Sequence, residues 1–355
     1  MVKYSCERCG KEFSQKSHYD SHNRRKTPCE NNADKIKALV DKAVEEKLKE
    51  LIVENKEENI NTETMVHQPQ KTQNNQVKYI DLFCGMGSFH YSFQKLGFKC
   101  VMASDIYKPA KENYKKNYNI DVLGDICDIE PSNIEPYDIL CAGFPCQPFS
   151  QAGHHEGFKD SRGTMFSQVM RFVKINIPKV VILENVQALL NHDKGKSFAK
   201  IKEELENEEY KLVYKVLKCS DYGIPQMRKR LFIVGFKNIQ VIDLDNFFKL
   251  DKYKKNTTLS NYLGKNFKKD VAYTLRCGGK KSPIDDRHNW DGYWVDNKEY
   301  RLTIDDGLKL QGFNDYDFVG KDNDKWKMLG NTIPTIFTEI IGKQIIKHTS
   351  FNSNV

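Results

Sequence analysis

The sequence predicts an α/β fold, a mostly parallel sheet with helices on both faces, preceded by a small Cys/His-rich module. Three observations predict it. From Lys78 onward short apolar runs alternate with helix-length segments; about Tyr4 to Cys29 is rich in Cys and His and poor in aliphatic residues; and an Asn/Gln/Thr/Glu-rich stretch from Glu57 to Gln76 separates the two. At 355 residues the chain has room for two to three domains, one with a sizeable core. With 39% apolar and 29% charged residues and a mean hydropathy of -0.66, no stretch reaches the ~18 unbroken apolar residues of a membrane span.

The opening run Met1-Val2-Lys3-Tyr4-Ser5-Cys6 has a charge and a thiol where an export signal carries an apolar stretch. Ten cysteines are too few for a disulfide scaffold at this length. The expectation is an intracellular, reducing compartment, nuclear or cytoplasmic, with no membrane partner. The net charge is +8, and its distribution matters more than its size. Between Lys249 and Arg287 eleven Lys/Arg stand against four Asp/Glu, a local excess of +7 suited to a polyanion.

The first 30 residues cannot fold on hydrophobic burial and need a staple. Two residues separate Cys6 from Cys9 and twelve separate Cys9 from His22, a spacing that suits a short hairpin followed by a helix. Cys29 supplies a fourth ligand after Pro28, with His18, one turn before His22, as its competitor. The segment resembles the classical ββα zinc-finger family in the variant whose last histidine is a cysteine, which implies bound Zn2+. Arg24, Arg25 and Lys26 lie where they reach only phosphate, and the finger suits DNA or protein equally.

Residues 31–56 follow, with Ile36, Leu39, Val40, Ala43, Val44, Leu48, Leu51 and Ile52 on one helical stripe. About three heptads suit packing on the chain itself or a weak dimer equally. Residues 57–77 read as a flexible linker.

In the large domain, strands are expected at Tyr79–Phe83, Lys99–Ala103, Tyr137–Ala142, Lys179–Leu183, Leu212–Leu217 and Leu231–Phe236. Helices are expected at Ser88–Leu96, Pro109–Asn117, Thr164–Asn176 and Lys196–Asn207. Ligands of such folds bind beyond the carboxyl ends of the strands. There the first strand runs into Asp81-Leu82-Phe83-Cys84-Gly85-Met86-Gly87-Ser88, a glycine turn opening a helix, so that backbone can approach a ligand. Asp105 ends the second strand, where a carboxylate suits a ribose, and Asp125 follows the next short run. A further strand leaves the core directly into Phe144-Pro145-Cys146-Gln147, which puts a thiol at the sheet's carboxyl edge.

Five strings now stand in order: Phe144-Pro145-Cys146-Gln147, Glu184-Asn185-Val186, Gln226-Met227-Arg228-Lys229-Arg230, Leu310-Gln311-Gly312-Phe313 and Gly330-Asn331-Thr332. In order and context they resemble the motifs of the DNA cytosine-5 methyltransferases, over about Lys78 to Ile346. The resemblance implies a Rossmann-like, S-adenosylmethionine-dependent methyltransferase domain acting on double-stranded DNA, with Cys146 as nucleophile. Carbon 5 of cytosine attacks a methyl donor only after a thiolate has added at carbon 6. By the same resemblance Glu184 engages ring nitrogen 3 and the exocyclic amine, Arg230 holds oxygen 2, and Arg228 anchors the flipped nucleotide's phosphate or the cysteine loop. It assigns Phe83, Gly85, Gly87 and Pro145 to the donor's lining. Asp105 goes to its ribose, Ile106 and Ile126 to the faces of the adenine, Asp125 to the adenine amine, and Asn331 and Thr332 to the closing edge.

The implied division is a finger at 1–30, a catalytic core at 78–240, a small, mostly irregular or β target-recognition region at 241–300, and a return to the core at 301–347. That region holds the +7 cluster. Gly278 and Gly279 allow backbone into a groove, Arg276, Lys280, Arg287 and Asn289 carry donors for base edges or phosphates, and Gln147 and Gln226 are expected to face DNA as well. Trp290, Tyr293 and Trp294 suit a core. Departures from the family pattern are Ser88 where a third glycine is common, Asp105 where Glu is commoner, and a shorter acid within Thr303-Ile304-Asp305-Asp306. A tRNA cytosine-5 methyltransferase is the alternative, disfavoured by the absence of a Cys-Phe-Thr tripeptide. A catalytically idle DNA-binding regulator is a second, disfavoured by the intact Cys146, Glu184 and Arg230.

Overall fold

The computed structural model describes residues 4–6, 12–24, 76–145, 165–241, 243–250, 257–278 and 280–352. The chain divides into two units, Met1–Gln73 and Asn74–Val355. In the first, strands β1 (Tyr4–Ser5) and β2 (Glu12–Phe13) pair antiparallel with Tyr4 opposite Phe13, and helix α1 (Lys16–Asn23) follows. Strand, strand, helix is the order that the cysteine and histidine spacing predicts. The amphipathic stripe at 31–56 and the linker before residue 76 lie outside the described residues.

The second unit is built on a six-stranded sheet in the order β4-β3-β5-β6-β8-β7. Its strands are β3 (Lys78–Leu82), β4 (Lys99–Ser104), β5 (Ile139–Ala142), β6 (Val180–Val186), β7 (Lys211–Lys218) and β8 (Lys229–Phe236). All six fall on the expected apolar runs. Pairings among β4, β3, β5 and β6 are parallel, whereas β8 runs antiparallel to both β6 and β7. The short connection from Lys218 to Lys229 explains the reversal, because a parallel return needs a crossover of a dozen or more residues.

Helices α2 (Ser88–Phe93), α3 (Lys108–Tyr118), α4 (Met165–Asn176) and α5 (Lys196–Asn207) alternate with these strands. Side chains alternate along each strand, so the sheet has two apolar faces. On one, Tyr79, Ile139, Cys141, Val180, Ile182, Phe232 and Val234 pack with Phe89 and Phe93 of α2 and Tyr114 of α3. On the other, Ile80, Leu140, Val181, Leu183 and Ile233 pack with Val169 and Phe172 of α4 and Ile201 and Leu205 of α5. The first face is also covered by the remainder of the chain: α6 (Leu259–Leu263), the hairpin β9 (Gly292–Val295) and β10 (Lys298–Arg301), then α7 (Ile304–Leu310), α8 (Asp322–Asn331) and α9 (Thr335–His348).

Trp290 and Tyr293 are buried, as expected, but Trp294 is 40% exposed. It corrects the reading of all three as core, because alternation along β9 turns Trp294 away from the side shared by Tyr293 and Val295. Among the described residues no helix is long and apolar enough to cross a membrane.

The chain's return to the first face is tight. The Ser88 hydroxyl donates to the Ile333 carbonyl (2.6 Å) and meets the Thr332 hydroxyl (3.0 Å); the Thr338 hydroxyl donates to the Ser88 carbonyl (2.9 Å). Ser88, the departure from the common glycine, is therefore the residue that ties the glycine turn to the last motif. Gly330 lies so close to the Arg276–Cys277 backbone that a Cβ would stand 2.4 Å from the Arg276 carbonyl carbon and from the Cys277 nitrogen. Both opposing atoms are backbone and cannot rotate away. Gly330→Ala is expected to lower the unfolding free energy by about 1–3 kcal/mol, measured by urea denaturation.

Candidate functional site

Alternation along β6 and β8 places the charged residues. Glu184 follows Ile182 by two and Arg230 precedes Phe232 by two, so both continue onto the first face. The antiparallel register sets Val186 opposite Arg230 and Glu184 opposite Phe232, making Glu184 and Arg230 diagonal neighbours. Arg230 Nε lies 2.7 Å from Glu184 Oε1. The contact is an ion pair without an aligned hydrogen bond to Oε1. Arg230 Nη1 donates to the Lys229 carbonyl at 2.8 Å, which leaves the outer guanidinium nitrogen for a ligand. Burial pushes the Glu184 carboxyl up, against the opposing pull of the Arg230 and Arg228 charges. A carboxyl so placed takes up a proton more readily than one in water.

Gly143 packs closely on it: a Cβ there would stand 3.3 Å from Glu184 Oε2 and 3.4 Å from Ile333 Cδ1. Asn185 Nδ2 donates to the Phe144 carbonyl at 3.0 Å, so the residue next to Glu184 fixes the chain just beyond the end of β5. Asn185 was not among the expected site residues. Its place after Glu184 at a strand terminus was the available signal. Cys146 and Gln147 lie outside the described residues.

Arg228 requires a correction. It is fully buried, and its guanidinium donates to the carbonyls of Leu275 (3.2 Å), Gly330 (2.9 Å) and Thr332 (2.8 Å). An arginine enclosed in this way anchors the 275 and 330–332 segments to β8 and does not reach a nucleotide phosphate. Burial holds its pKa down to about 9, with the Arg230 charge acting in the same direction. Gln226 is corrected likewise: it is buried, donates to the Leu310 carbonyl at 2.6 Å and accepts from the Leu275 amide at 3.3 Å, so it does not face DNA. Asn289 is buried and closes a turn through Ile284, Gly292 and its own neighbours, donating at 3.0 and 2.9 Å. Arg276, Gly278 and Arg287 are exposed and Lys280 is partly so; Gly279 lies outside the described residues.

At the other strand ends the glycine turn follows β3. Phe83, Gly85 and Gly87 adopt positive φ of 57, 52 and 79°, and Gly85 faces open space. Asp105, just past β4, accepts from the Gly85 amide (2.9 Å) and the Tyr107 amide (2.7 Å). Ile106 beside it is 76% exposed, whereas Ile126 is buried in the second core. The expectation that both side chains are open to a ligand is corrected for Ile126, which is packed in the core. Asp125 accepts from the Cys127 amide at 2.9 Å. Pro145 is exposed at the end of the described strand exit. Asn331 Oδ1 accepts from the Cys277 thiol at 2.8 Å, and Thr332 is buried against Ser88.

In the first unit, Cys6 and His22 are buried (3% and 8% exposed) while His18 is exposed. Cys9 and Cys29 lie outside the described residues, among which no cluster of three or more His, Cys, Asp or Glu is positioned for a metal.

A family profile described as C-5 cytosine-specific DNA methylase matches residues 77–277. The Type II methyltransferase M.DsaV of Dactylococcopsis salina is 36% identical over 309 residues, covering 77% of this chain and 87% of that one. M.HaeII of Haemophilus aegyptius is 39% identical over 268 residues, 67% of this chain and 82% of its own. Among solved structures, the S. pombe Dnmt2 methyltransferase superposes with a TM-score of 0.60 at 16% identity, over 77% of this chain and 99% of that one. A putative DNA modification methyltransferase encoded within an E. coli prophage superposes with a TM-score of 0.58 at 19% identity, over 77% and 99%. At these identities the structures speak for the fold alone.

The Arg228 geometry has a measurable consequence. Leaving a buried carbonyl without its donor costs about 1–3 kcal/mol, so Arg228→Met is expected to lower the unfolding free energy by at least about 2 kcal/mol, read by urea denaturation.

Proposed function

This chain belongs to the C-5 cytosine-specific DNA methylase family, and on that premise we propose how its site carries out S-adenosylmethionine-dependent methylation of cytosine at carbon 5 in DNA. The observation that carries the proposal is the buried Glu184–Arg230 pair, 2.7 Å apart at the carboxyl edge of the sheet. The Cys146 thiolate adds to carbon 6 of a flipped cytosine, and the ring electrons pass to carbon 5. Glu184, raised toward its protonated form by burial, donates to ring nitrogen 3 and accepts from the exocyclic amine. Arg230 keeps the carboxyl oriented and offers its outer nitrogen to oxygen 2. Carbon 5 would take the methyl group as its bond to the sulfonium sulfur breaks and a neutral thioether leaves; the carbon 5 proton then passes to water, and the electrons it leaves break the bond between carbon 6 and the Cys146 sulfur, freeing the thiolate. Arg228 takes no part in contact with the base. It positions β8 against the segments that surround the base, as Asn185 positions the exit to Cys146.

When bound, S-adenosylmethionine supplies an electrophilic methyl group on sulfonium sulfur. The strand ends fit such a ligand: Gly85 faces open space, Ile106 offers an exposed apolar surface, and Asp105 stands at the strand terminus with its carboxylate partly exposed. Phe83, Gly85, Gly87, Pro145, Asp105, Ile106, Asp125, Asn331 and Thr332 are assigned to it. Arg276, Gly278, Gly279, Lys280, Arg287 and Gln147 are assigned to double-stranded DNA, on exposed positions where these are described.

In the first unit, Cys6, Cys9, His22 and Cys29 are assigned to one Zn2+. The strand-strand-helix order and the burial of a thiol and an imidazole in so polar a segment support it. Residues 31–56 are assigned to packing on the chain or a weak dimer.

Radiolabelled methyl transfer tests the reaction. The full-length protein is expected to label duplex DNA and not tRNA, Cys146→Ser to label neither, and DNA carrying 5-fluorocytosine to form a denaturation-resistant adduct with the wild type. Labelling by Cys146→Ser at near the wild-type rate would remove Cys146 from the chemistry. Metal analysis is expected to find about one zinc per chain, lost in Cys6→Ser. A metal-free full-length protein would remove the zinc assignment.

A further inference from the structure

We propose that Tyr118, backed by His90, is a positioning residue for the methyl donor, fixing the Cys84–Ser88 turn from behind; the inference rests on the assignment of that turn to the donor. Tyr118 is the last residue of α3, and its hydroxyl reaches two successive carbonyls of the turn, Met86 at 3.2 Å and Gly87 at 3.1 Å. A phenol has one proton, shared here between two acceptors. The hydroxyl thus reaches two consecutive peptide planes, that of Met86 and that of Gly87, whose carbonyl also accepts from the Tyr91 amide at 2.8 Å. The turn's other ties are the Gly87 amide to the Cys84 carbonyl at 2.8 Å, the Gly85 amide to Asp105 at 2.9 Å, the Cys84 amide to the Ser104 carbonyl at 3.0 Å, and the Ser88 contacts to Ile333, Thr332 and Thr338. Phe83, Gly85 and Gly87 all hold positive φ, a backbone that relaxes unless its surroundings hold it.

The contact is close as well as polar. A Cβ on Gly87 would lie 2.4 Å from Tyr118 Cε2 and 2.8 Å from Tyr114 Cε2. Tyr118 is itself held. The His90 imidazole stacks on its ring with centroids 4.1 Å apart and planes 12° from parallel, and His90 Nδ1 hydrogen-bonds the Tyr114 hydroxyl at 2.9 Å. Burial lowers the His90 pKa to about 4, so the stacked ring is neutral near pH 7. Helix α3 is fixed in turn by Asn113 and Asn117, one turn apart. Asn113 donates to the Val319 carbonyl (3.1 Å) and accepts from the Val319 amide (2.9 Å); Asn117 does the same with Asp317 (3.0 and 2.8 Å). The segment after Leu310-Gln311-Gly312-Phe313 therefore braces the helix that braces the turn.

Tyr118→Phe keeps the ring against Gly87 and removes the hydroxyl. In the full-length protein it is expected to raise the KM and Kd for S-adenosylmethionine about tenfold, the scale of one lost hydrogen bond to a buried group. The KM for DNA and kcat at saturating donor should stay within about twofold. His90→Gln, which leaves the hydroxyl but removes the stacked ring, is expected to raise the donor KM in the same direction by a smaller factor. Asp105→Ala serves as the reference for the donor site. Weakened donor binding in Asp105→Ala with unchanged binding in Tyr118→Phe would overturn the role of Tyr118 and leave the donor site standing. Unchanged binding in all three variants would overturn the donor-site assignment and the inference with it. A parallel rise in the KM values for donor and DNA would show Tyr118 to be a general support of the fold and would also overturn the proposal.

Discussion

The antiparallel register between β6 and β8 is the constraint on which the site depends. In a sheet whose first four strands run parallel, one reversed strand brings its leading end to the edge where the others finish. Val186 at the exit of β6 meets Arg230 at the entry of β8, and Glu184 lies diagonal to that arginine. With β8 parallel, the same arginine would sit at the opposite edge, and Glu184 would be a buried acid with no cation. The reversal follows from a connection too short for a crossover, so a loop length decides the electrostatics of the strand end.

A second arginine, immediately before the same strand, shows how burial divides two like residues. Arg228 and Arg230 share a face, yet Arg230 has a carboxylate partner and a free edge while Arg228 has three carbonyls and none. A buried cation without a facing carboxylate is held by dipoles, and charge-assisted hydrogen bonds to carbonyls are stronger than neutral ones. Those carbonyls belong to residues 275, 330 and 332, two segments distant in sequence from Arg228 and from each other. One side chain therefore sets the spacing between β8, the basic segment and the last motif. The absence of a Cβ at Gly330 lets that spacing be as small as it is.

Much of this was legible in the sequence. The six strands, the helices on both faces and the strand ends carrying Glu184, Arg230 and Asp105 all follow from periodicity and position, because burial on two faces leaves runs that a window of residues can detect. Direction was not legible. Gln226, Arg228 and Asn289 have the donors that DNA contact requires, but their partners lie within the fold, and donor capacity alone does not say which way a side chain turns. Ile126 and Ile106 are the same residue type beside two aspartates, and only packing against α4 and α5 distinguishes the buried one from the exposed one. Asn185 shows the converse: a residue read as part of a motif whose side chain donates to the Phe144 carbonyl and accepts from the Val186 amide.

The hydroxyl ties among Ser88, Ser92, Thr332, Ile333, Thr335 and Thr338 join positions 243 to 250 residues apart. That separation has a consequence for biosynthesis. Contacts so remote in sequence close late, after a large loop has been gathered in, and a chain emerging N-terminus first cannot make them until almost all of it has been translated. The glycine turn is among the first parts of the large unit to leave the ribosome; Asp105 and Tyr118 follow it within about 30 residues, but its ties through Ser88 come only with Thr332, Ile333 and Thr338. A nascent or prematurely terminated chain thus carries a turn held on one side only, and translation itself delays the closing of the other side until residues 332–338 have been made.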